Sequence, residues 1–150
     1  MSRTDSSVVY HVPARGLSRR GLREFVKQLQ EEIAGGRAFC CLVTNDEELR
    51  RLNKQFRKKD YATDVLSFPS GSKGNGALLG ELAVSWDRAK VQASEYGHAA
   101  EDEVRILVLH GVLHLTGMDH EKDHGQMARS EVRWRRRLNL PAGLIERVRS

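Results

Sequence analysis

One short segment constrains the fold of this chain more than any other: residues 110–120, with the sequence HGVLHLTGMDH. His110 and His114 are four residues apart, so a helix places both imidazoles on one face, close enough to bind one metal ion. Gly117 readily adopts the positive φ that ends a helix and reverses the chain. The reversal returns His120 towards the helix, so the segment predicts a metal site with three histidine ligands.

The ligand set indicates which chemistry such a site supports. Three neutral imidazoles leave one position of a tetrahedral zinc ion open, which is typical of catalytic rather than structural sites. The spacing matches the extended signature of metzincin peptidases, but Gly111 stands where those enzymes have their general-base glutamate. Because glycine cannot accept a proton, we do not expect peptide hydrolysis. Histidine ligands leave the ion its full divalent charge, which favours an anionic substrate such as a phosphodiester.

Composition narrows the class of protein. The chain has 150 residues, 39% hydrophobic and 30% charged, as expected for one globular domain spanning residues 1–150. It has no apolar run of about 18 residues, so we expect no membrane span, and residues 1–7 lack the apolar core of a signal peptide. Cys40 and Cys41 are adjacent and form no disulfide framework. We therefore expect a cytoplasmic protein in a reducing compartment.

Positive charge is concentrated near the C-terminus. The net charge is +5, and residues 129–149 contain seven arginines against two acidic residues, Glu131 and Glu146. The arginines are Arg129, Arg133, Arg135, Arg136, Arg137, Arg147 and Arg149. Such a patch attracts polyanions, nucleic acid first, but a solvated helix face has the same composition.

Hydrophobic periodicity predicts the element order β-α-β-α-β-β-α-α-α, and thus an α+β domain with one small mixed sheet packed by helices. Strands are expected at residues 8–12, 38–43, 65–68 and 78–85, and the glycine-rich residues 71–76 are expected to form a loop. The helices are expected to begin after the N-cap residues Ser18, Asn45 and Ser85 and near residues 101 and 123.

The helix that contains His110 and His114 is predicted to be central. Residues 104–115 are apolar on almost every side, as expected for a helix surrounded by protein. Histidines inside such a helix need polar or metal partners. The helix after Asn45 has a narrower apolar stripe, formed by Leu49, Leu52 and Phe56.

Three further blocks accompany the histidine segment. They are residues 52–53 with 56–60, residues 63–69 (TDVLSFP) and residues 79–82 (LGEL). In order and spacing, the four blocks together resemble the YbeY-type bacterial endoribonucleases, or rRNA maturation factors, over about residues 40–138. Two positions depart from the family pattern: Glu81 where aspartate is usual, and Met118 where tyrosine is common. The second departure removes an aromatic hydroxyl near the metal.

The resemblance implies a single-strand-specific, metal-dependent endoribonuclease that acts in 16S rRNA 3′-end maturation and ribosome quality control. It implies His110, His114 and His120 as the ligands of one Zn²⁺ ion. By its charge alone, Arg57 is more typical of a surface residue. The resemblance implies instead that this arginine is catalytic and holds the scissile phosphate. The implied partners are single-stranded RNA, rRNA and the ribosome.

Several alternatives stay open at this point. The chain is also compatible with a zinc-stabilised, RNA-binding ribosome-assembly factor without catalysis, or with a metal-dependent hydrolase of another bond. The nucleophile, the general base, the metal in the cell and the oligomeric state are not determined by the sequence. Asp64 and Asp119 either orient a ligand histidine or cap a turn. His124 is expected to be an exposed helix residue, and structural roles are expected for Thr63 and Ser67.

Overall fold

Four strands and six helices make up the described part of the chain, residues 5–71 and 78–149 of a computed structural model. The strands are β1 (Ser7–Tyr10), β2 (Phe39–Thr44), β3 (Val65–Pro69) and β4 (Gly80–Ser85). The helices are α1 (Arg19–Glu32), α2 (Asp46–Arg57), α3 (Trp86–Tyr96), α4 (Ala100–Leu115), α5 (Gln126–Arg137) and α6 (Leu144–Arg149).

The strands form one mixed sheet in the order β1-β2-β4-β3. The β1–β2 and β2–β4 pairs are parallel, and the β3–β4 pair is antiparallel. The predicted α+β fold with one small mixed sheet is therefore confirmed. Strand β3 is an edge strand of this sheet, so one of its sides has no neighbouring strand in the described residues.

Local capping sets the predicted helix starts. The side chains of Ser18, Asn45 and Ser85 accept hydrogen bonds from backbone N–H groups in the first turns of α1, α2 and α3. Each bond satisfies a donor that a helix start leaves unpaired. Gly97 ends α3 in the left-handed conformation that glycine adopts readily. The three helix starts agree with the sequence prediction.

Four elements differ from the prediction by more than one residue, and the first is β1, which ends at Tyr10 instead of at residue 12. Helix α5 begins at Gln126 because the Asp123 carboxylate accepts from the backbone N–H groups of Gly125 and Met127 and holds a turn there. Helix α6 was not predicted, since six residues are too few to show a helical period. Strand β4 begins at Gly80 rather than two residues earlier. Of the predicted loop at 71–76, residues 72–76 lie outside the described residues.

The two faces of the sheet support cores of different size. Alternate residues of β2 and β4 point into the larger core with α4, namely Cys41, Val43, Leu82 and Val84. A smaller core of Leu49, Leu66 and Ala83 lies between the opposite face and α2. Within α4, the apolar side chains at 104, 106–109 and 112–113 are at most 1% exposed. The prediction of a central helix surrounded by protein is confirmed.

The cysteines and the helix lengths agree with the expectations from composition. Cys40 and Cys41 are free thiols, and burial raises the pKa of Cys41 to about 12, so its thiol is unreactive at neutral pH. None of the helices in residues 5–71 and 78–149 has the length and apolar character needed to cross a bilayer.

Candidate metal centre

The three predicted ligands converge at the C-terminal end of α4. His110 and His114 lie on consecutive turns of the helix. Gly117 then adopts φ +104°, and the N–H of Met118 donates to the carbonyl of Leu113, which closes the turn after the helix. The reversed chain carries His120 back, so that its ring centroid lies 5.5 Å from that of His110 and 5.4 Å from that of His114.

The donor set fits a metal ion. One ring nitrogen from each histidine lies within 4.8 Å of the others. Two nitrogens on one tetrahedral zinc ion are roughly 3.3 Å apart, given the usual zinc–nitrogen bond length. Ring rotations that move each nitrogen by up to about 0.8 Å therefore close the site. In the described residues, this is the one group of three or more such side chains close enough to share an ion.

Glu131 orients the first ligand. Its Oε2 lies 2.7 Å from Nδ1 of His110, so Nδ1–H donates to the carboxylate and Nε2 keeps its lone pair for a metal. Glu131 is 1% exposed, and its other oxygen accepts from the backbone N–H of Ile145 at the start of α6. One buried carboxylate thus connects the metal site to the C-terminal helix.

Sequence reasoning missed this role of Glu131. A usable signal was present, because Glu131 follows Met127 by one turn on the inward face of α5, and a buried carboxylate needs a partner. The charge of Glu131, in contrast to its spacing from Met127, did not indicate that the residue lies on the buried face of α5, because its sequence neighbours are arginines.

The second ligand is oriented by the backbone. Nδ1 of His114 lies 2.9 Å from the carbonyl oxygen of Met118, which leaves Nε2 free to bind a metal. Burial, together with the neighbouring His110, lowers the pKa of His114 and keeps its imidazole neutral and able to bind a metal. Because position 118 acts here through its carbonyl, methionine serves as well as tyrosine for this contact.

The remaining candidates have other positions. The Asp64 carboxylate accepts from the backbone N–H of Val65, and that of Asp119 accepts from the backbone N–H of Glu121. Neither hydrogen-bonds one of the three histidines among the described residues, although both line the same pocket as the histidines. His124 is exposed, as expected, but it precedes α5 instead of lying in a helix, and it is outside the histidine group. Glu81 is exposed and does not line the cleft.

Close packing explains why position 111 is a glycine. A Cβ at this position would lie 2.7 Å from a methyl carbon of Leu82 and 3.2 Å from the hydroxyl oxygen of Ser67. The Ser67 hydroxyl donates to the carbonyl of Gly111 at 3.2 Å, which ties β3 to α4. The close packing leaves no space for the peptidase glutamate, and Ser67 has the structural role that was expected.

The ligands open onto a cleft of about 750 Å³. The cleft runs along β3, with the end of α4 on one side and the end of α2 on the other. Arg57, the last residue of α2, lines it together with all three histidines. Its side chain is exposed and has no hydrogen bond or ion pair with any residue in the ranges 5–71 and 78–149. Arg57 is therefore available to an anion in the cleft.

The C-terminal arginines do not form one uniform patch. Arg147 is buried, with a side chain 6% exposed, and makes two bonds of 2.7 and 2.8 Å to Glu103. Arg135 pairs with Glu146 through bonds of 2.6 and 2.9 Å. The exposed arginines of α5 are Arg129, Arg133, Arg136 and Arg137. Hence the predicted patch is smaller than the sequence suggested, and Arg147 contributes to stability instead.

Comparison with known proteins agrees with this geometry. A family model described as endoribonuclease YbeY matches residues 14–139. An endoribonuclease YbeY from Solibacter usitatus is 57% identical over 145 residues, 97% of this chain and 96% of the relative. An endoribonuclease YbeY from Koribacter versatilis is 46% identical over 133 residues, which cover 89% of this chain and 86% of the relative. The solution structure of a Thermotoga maritima protein has a TM-score of 0.60 at 26% identity, covering 87% of this chain and 86% of that one. The chain therefore belongs to the endoribonuclease YbeY family.

Proposed function

We propose that residues 1–150 act as one metallo-endoribonuclease domain that uses zinc to cleave single-stranded RNA in 16S rRNA 3′-end maturation and ribosome quality control. The family name and the names of the relatives support RNA cleavage. The observation that carries the proposal is that three convergent imidazoles and the free guanidinium of Arg57 line one cleft.

The side chains of this cleft have separate roles. His110, His114 and His120 would hold the ion. When bound, zinc supplies Lewis-acid polarisation of a phosphoryl oxygen. The planar guanidinium of Arg57 donates two parallel N–H groups to the scissile phosphate and stabilises the negative charge that grows in the transition state.

Zinc is the proposed metal because of the donor set. Imidazole nitrogens bind zinc, copper, iron and nickel, so the ligand type alone does not select one of them. Three ligands with one open position are the usual arrangement of catalytic zinc. Elemental analysis of the purified protein, expected to give one zinc ion per chain, checks this assignment.

Metal removal tests the function. The chelated protein is expected to stop cleaving a single-stranded oligonucleotide from the 3′ precursor of 16S rRNA and to recover when zinc is added. The chelated protein should still be folded and should still bind the oligonucleotide. Full cleavage without metal would contradict the proposal. Unfolding of the metal-free protein would instead support a zinc ion with a structural role.

A pair of histidine variants provides a matched control. His114→Ala is expected to lose both zinc and cleavage, because it removes one of three ligands. His124→Ala removes an exposed histidine ten residues further along the chain that is outside the group, and it should change neither quantity. Equal effects of the two substitutions would contradict the assignment of the ligands.

A further inference from the structure

The apolar stripe of α2 ends on a phenylalanine that the fold does not bury. Leu49 is 0% exposed and Leu52 packs against the smaller core, but Phe56, on the next turn of the same stripe, is 59% exposed. Since β3 is the edge of the sheet, the last turn of α2 lies over the cleft rather than over a core. A single exposed apolar ring is ordinary on a protein surface, but this one lines the same cleft as Arg57 and the three histidines.

One aromatic contact orients this ring. The rings of Phe56 and Phe68 meet edge to face, with centroids 5.4 Å apart and planes inclined at 65°. Phe68 lies on β3 and packs against the smaller core, so it supports the ring of Phe56 without covering it. Both rings line the cleft that contains Arg57 and the three histidines.

Cations surround the same end of α2. Lys54 and Arg57 lie in its last turn, Lys58 and Lys59 follow, and all four are exposed. Proteins that bind single-stranded nucleic acid combine an aromatic ring that stacks on a base with cations that contact the backbone. We propose that Phe56 is a stacking platform for an unpaired base next to the scissile phosphate. This inference rests on the proposed function, and it explains selection of single strands, because a base in a duplex is already stacked on both faces.

Other exposed aromatic residues in the described ranges do not fit this role. Tyr61 is 54% exposed but does not line the cleft. Tyr96 is occupied by the guanidinium of Arg147, which lies 4.2 Å from its ring centroid. Tyr61 therefore provides a matched control: an aromatic side chain of similar exposure, near in sequence and outside the cleft.

The platform is tested by binding, separately from cleavage. In a His114→Ala background, a fluorescent single-stranded RNA is titrated with the parent protein and with three further variants. Phe56→Leu is expected to weaken binding about tenfold, whereas Phe56→Trp should retain it and Tyr61→Leu should not change it. An RNA that lacks the stacked base should bind the parent about tenfold more weakly. That RNA should bind Phe56→Leu with about the same affinity as it binds the parent, because both changes remove the same stacking interaction.

Each result supports or overturns the platform. If Phe56→Leu binds like the parent, or if its effect and that of the missing base simply add, the ring does not stack on a base. Cleavage of the same RNA by the wild-type protein, assayed separately, would then show that the proposed function survives without the platform. If the wild-type protein neither binds nor cleaves RNA, both proposals fail together.

Discussion

The two walls of the cleft are built differently. The histidine wall consists of His110, His114 and His120, and the α2 wall consists of Phe56 and Arg57. On the histidine wall, a buried carboxylate from Glu131 and the carbonyl of Met118 hold the outer nitrogens of two imidazoles. On the α2 wall both side chains are exposed. Hydrogen bonds that orient the ligands favour metal binding. Groups that bind substrate, by contrast, have to stay free of protein partners until the substrate arrives.

The ion pairs behind the walls differ in the same way. Behind the histidine wall, Glu103 of α4 is 0% exposed and pairs with Arg147 of α6. Near the α2 wall, Arg50 and Asp60 form a pair of 2.7 Å whose side chains are 58% and 48% exposed. Water screens the second pair but not the first. Substitutions should therefore affect the two regions unequally.

The largest expected effect is on stability. Arg147→Met should lower the free energy of unfolding by about 3–5 kcal/mol, because it leaves the Glu103 carboxylate buried without its cationic partner. Arg50→Met, the matched change at the exposed pair, should leave stability nearly unchanged. Denaturant unfolding measures both. Equal losses would show that burial does not distinguish the two regions.

The next largest effect is on catalysis at the α2 wall. Arg57→Ala should lower kcat/KM for single-stranded RNA by about 10²–10³ and leave the zinc content unchanged, since Arg57 is not a ligand. Arg57→Lys should restore little, because an ammonium group cannot form two parallel bonds to a phosphate. Lys27→Ala, at an exposed cation of α1 outside the cleft, serves as the control for removal of a positive charge and should leave kcat/KM nearly unchanged. A fall in the zinc content of Arg57→Ala would contradict the separation of the walls.

The reciprocal change is on the histidine wall. Glu131→Gln should weaken zinc binding by about 10–100-fold, because a neutral amide orients and polarises His110 less well than a carboxylate. Titration against a competing chelator measures the affinity. Glu121→Gln, at an exposed carboxylate that lines the cleft and has no hydrogen bond to the three histidines among the described residues, should leave the affinity unchanged. An unchanged affinity in Glu131→Gln would restrict that residue to capping α6.

A smaller effect concerns pH. Burial would raise the pKa of Glu103, but hydrogen bonds from Arg147, His98 and Gln92 outweigh it and lower the pKa below its ordinary value. Below the ordinary pKa the unfolded chain binds more protons at this site than the folded protein does, so stability falls as pH falls through the lowered pKa. Unfolding measured from neutral to acid pH should therefore show a weaker loss of stability in Glu103→Gln than in the wild type. The same pH dependence in both proteins would exclude a contribution from Glu103.

The smallest expected effect concerns the exposed arginines of α5. Replacing Arg129, Arg133 and Arg136 by alanine should reduce the salt dependence of RNA binding, by about 0.7 in the logarithmic slope for each phosphate that is no longer neutralised. Arg135→Ala is the control, because Arg135 is already paired with Glu146. An unchanged slope in the triple variant would identify this surface as a solvated helix face.

Local spacing made much of this molecule predictable. The convergence of His110 and His114 follows from the helical period, and that of His120 follows from the glycine that turns the chain. The caps at Ser18, Asn45 and Ser85 are equally local, because each side chain bonds within its own first turn. Such features depend on neighbours a few residues apart, and these are visible in a sequence.

Contacts between distant segments were not predictable in the same way. Phe56 belongs to an apolar stripe by its spacing, yet the edge of the sheet leaves it exposed. Arg147 has the same charge as the exposed arginines of α5, yet its side chain is buried and pairs with Glu103, forty-four residues away. In both cases the environment of the residue depends on which other segment lies beside it.

By itself, the sequence was sufficient to predict a group of three histidines that could hold a metal ion, the helix that presents two of them and the absence of a peptidase base. Only the tertiary structure shows that Glu131 orients His110, that the carbonyl of Met118 orients His114, and that Arg57 shares their cleft. The physical reason is that two histidines four residues apart on a helix, and a third after a glycine turn, are placed by local backbone geometry. Their supporting hydrogen bonds and the opposite wall come from α5, from the turn after α4 and from α2, and packing alone brings those segments together.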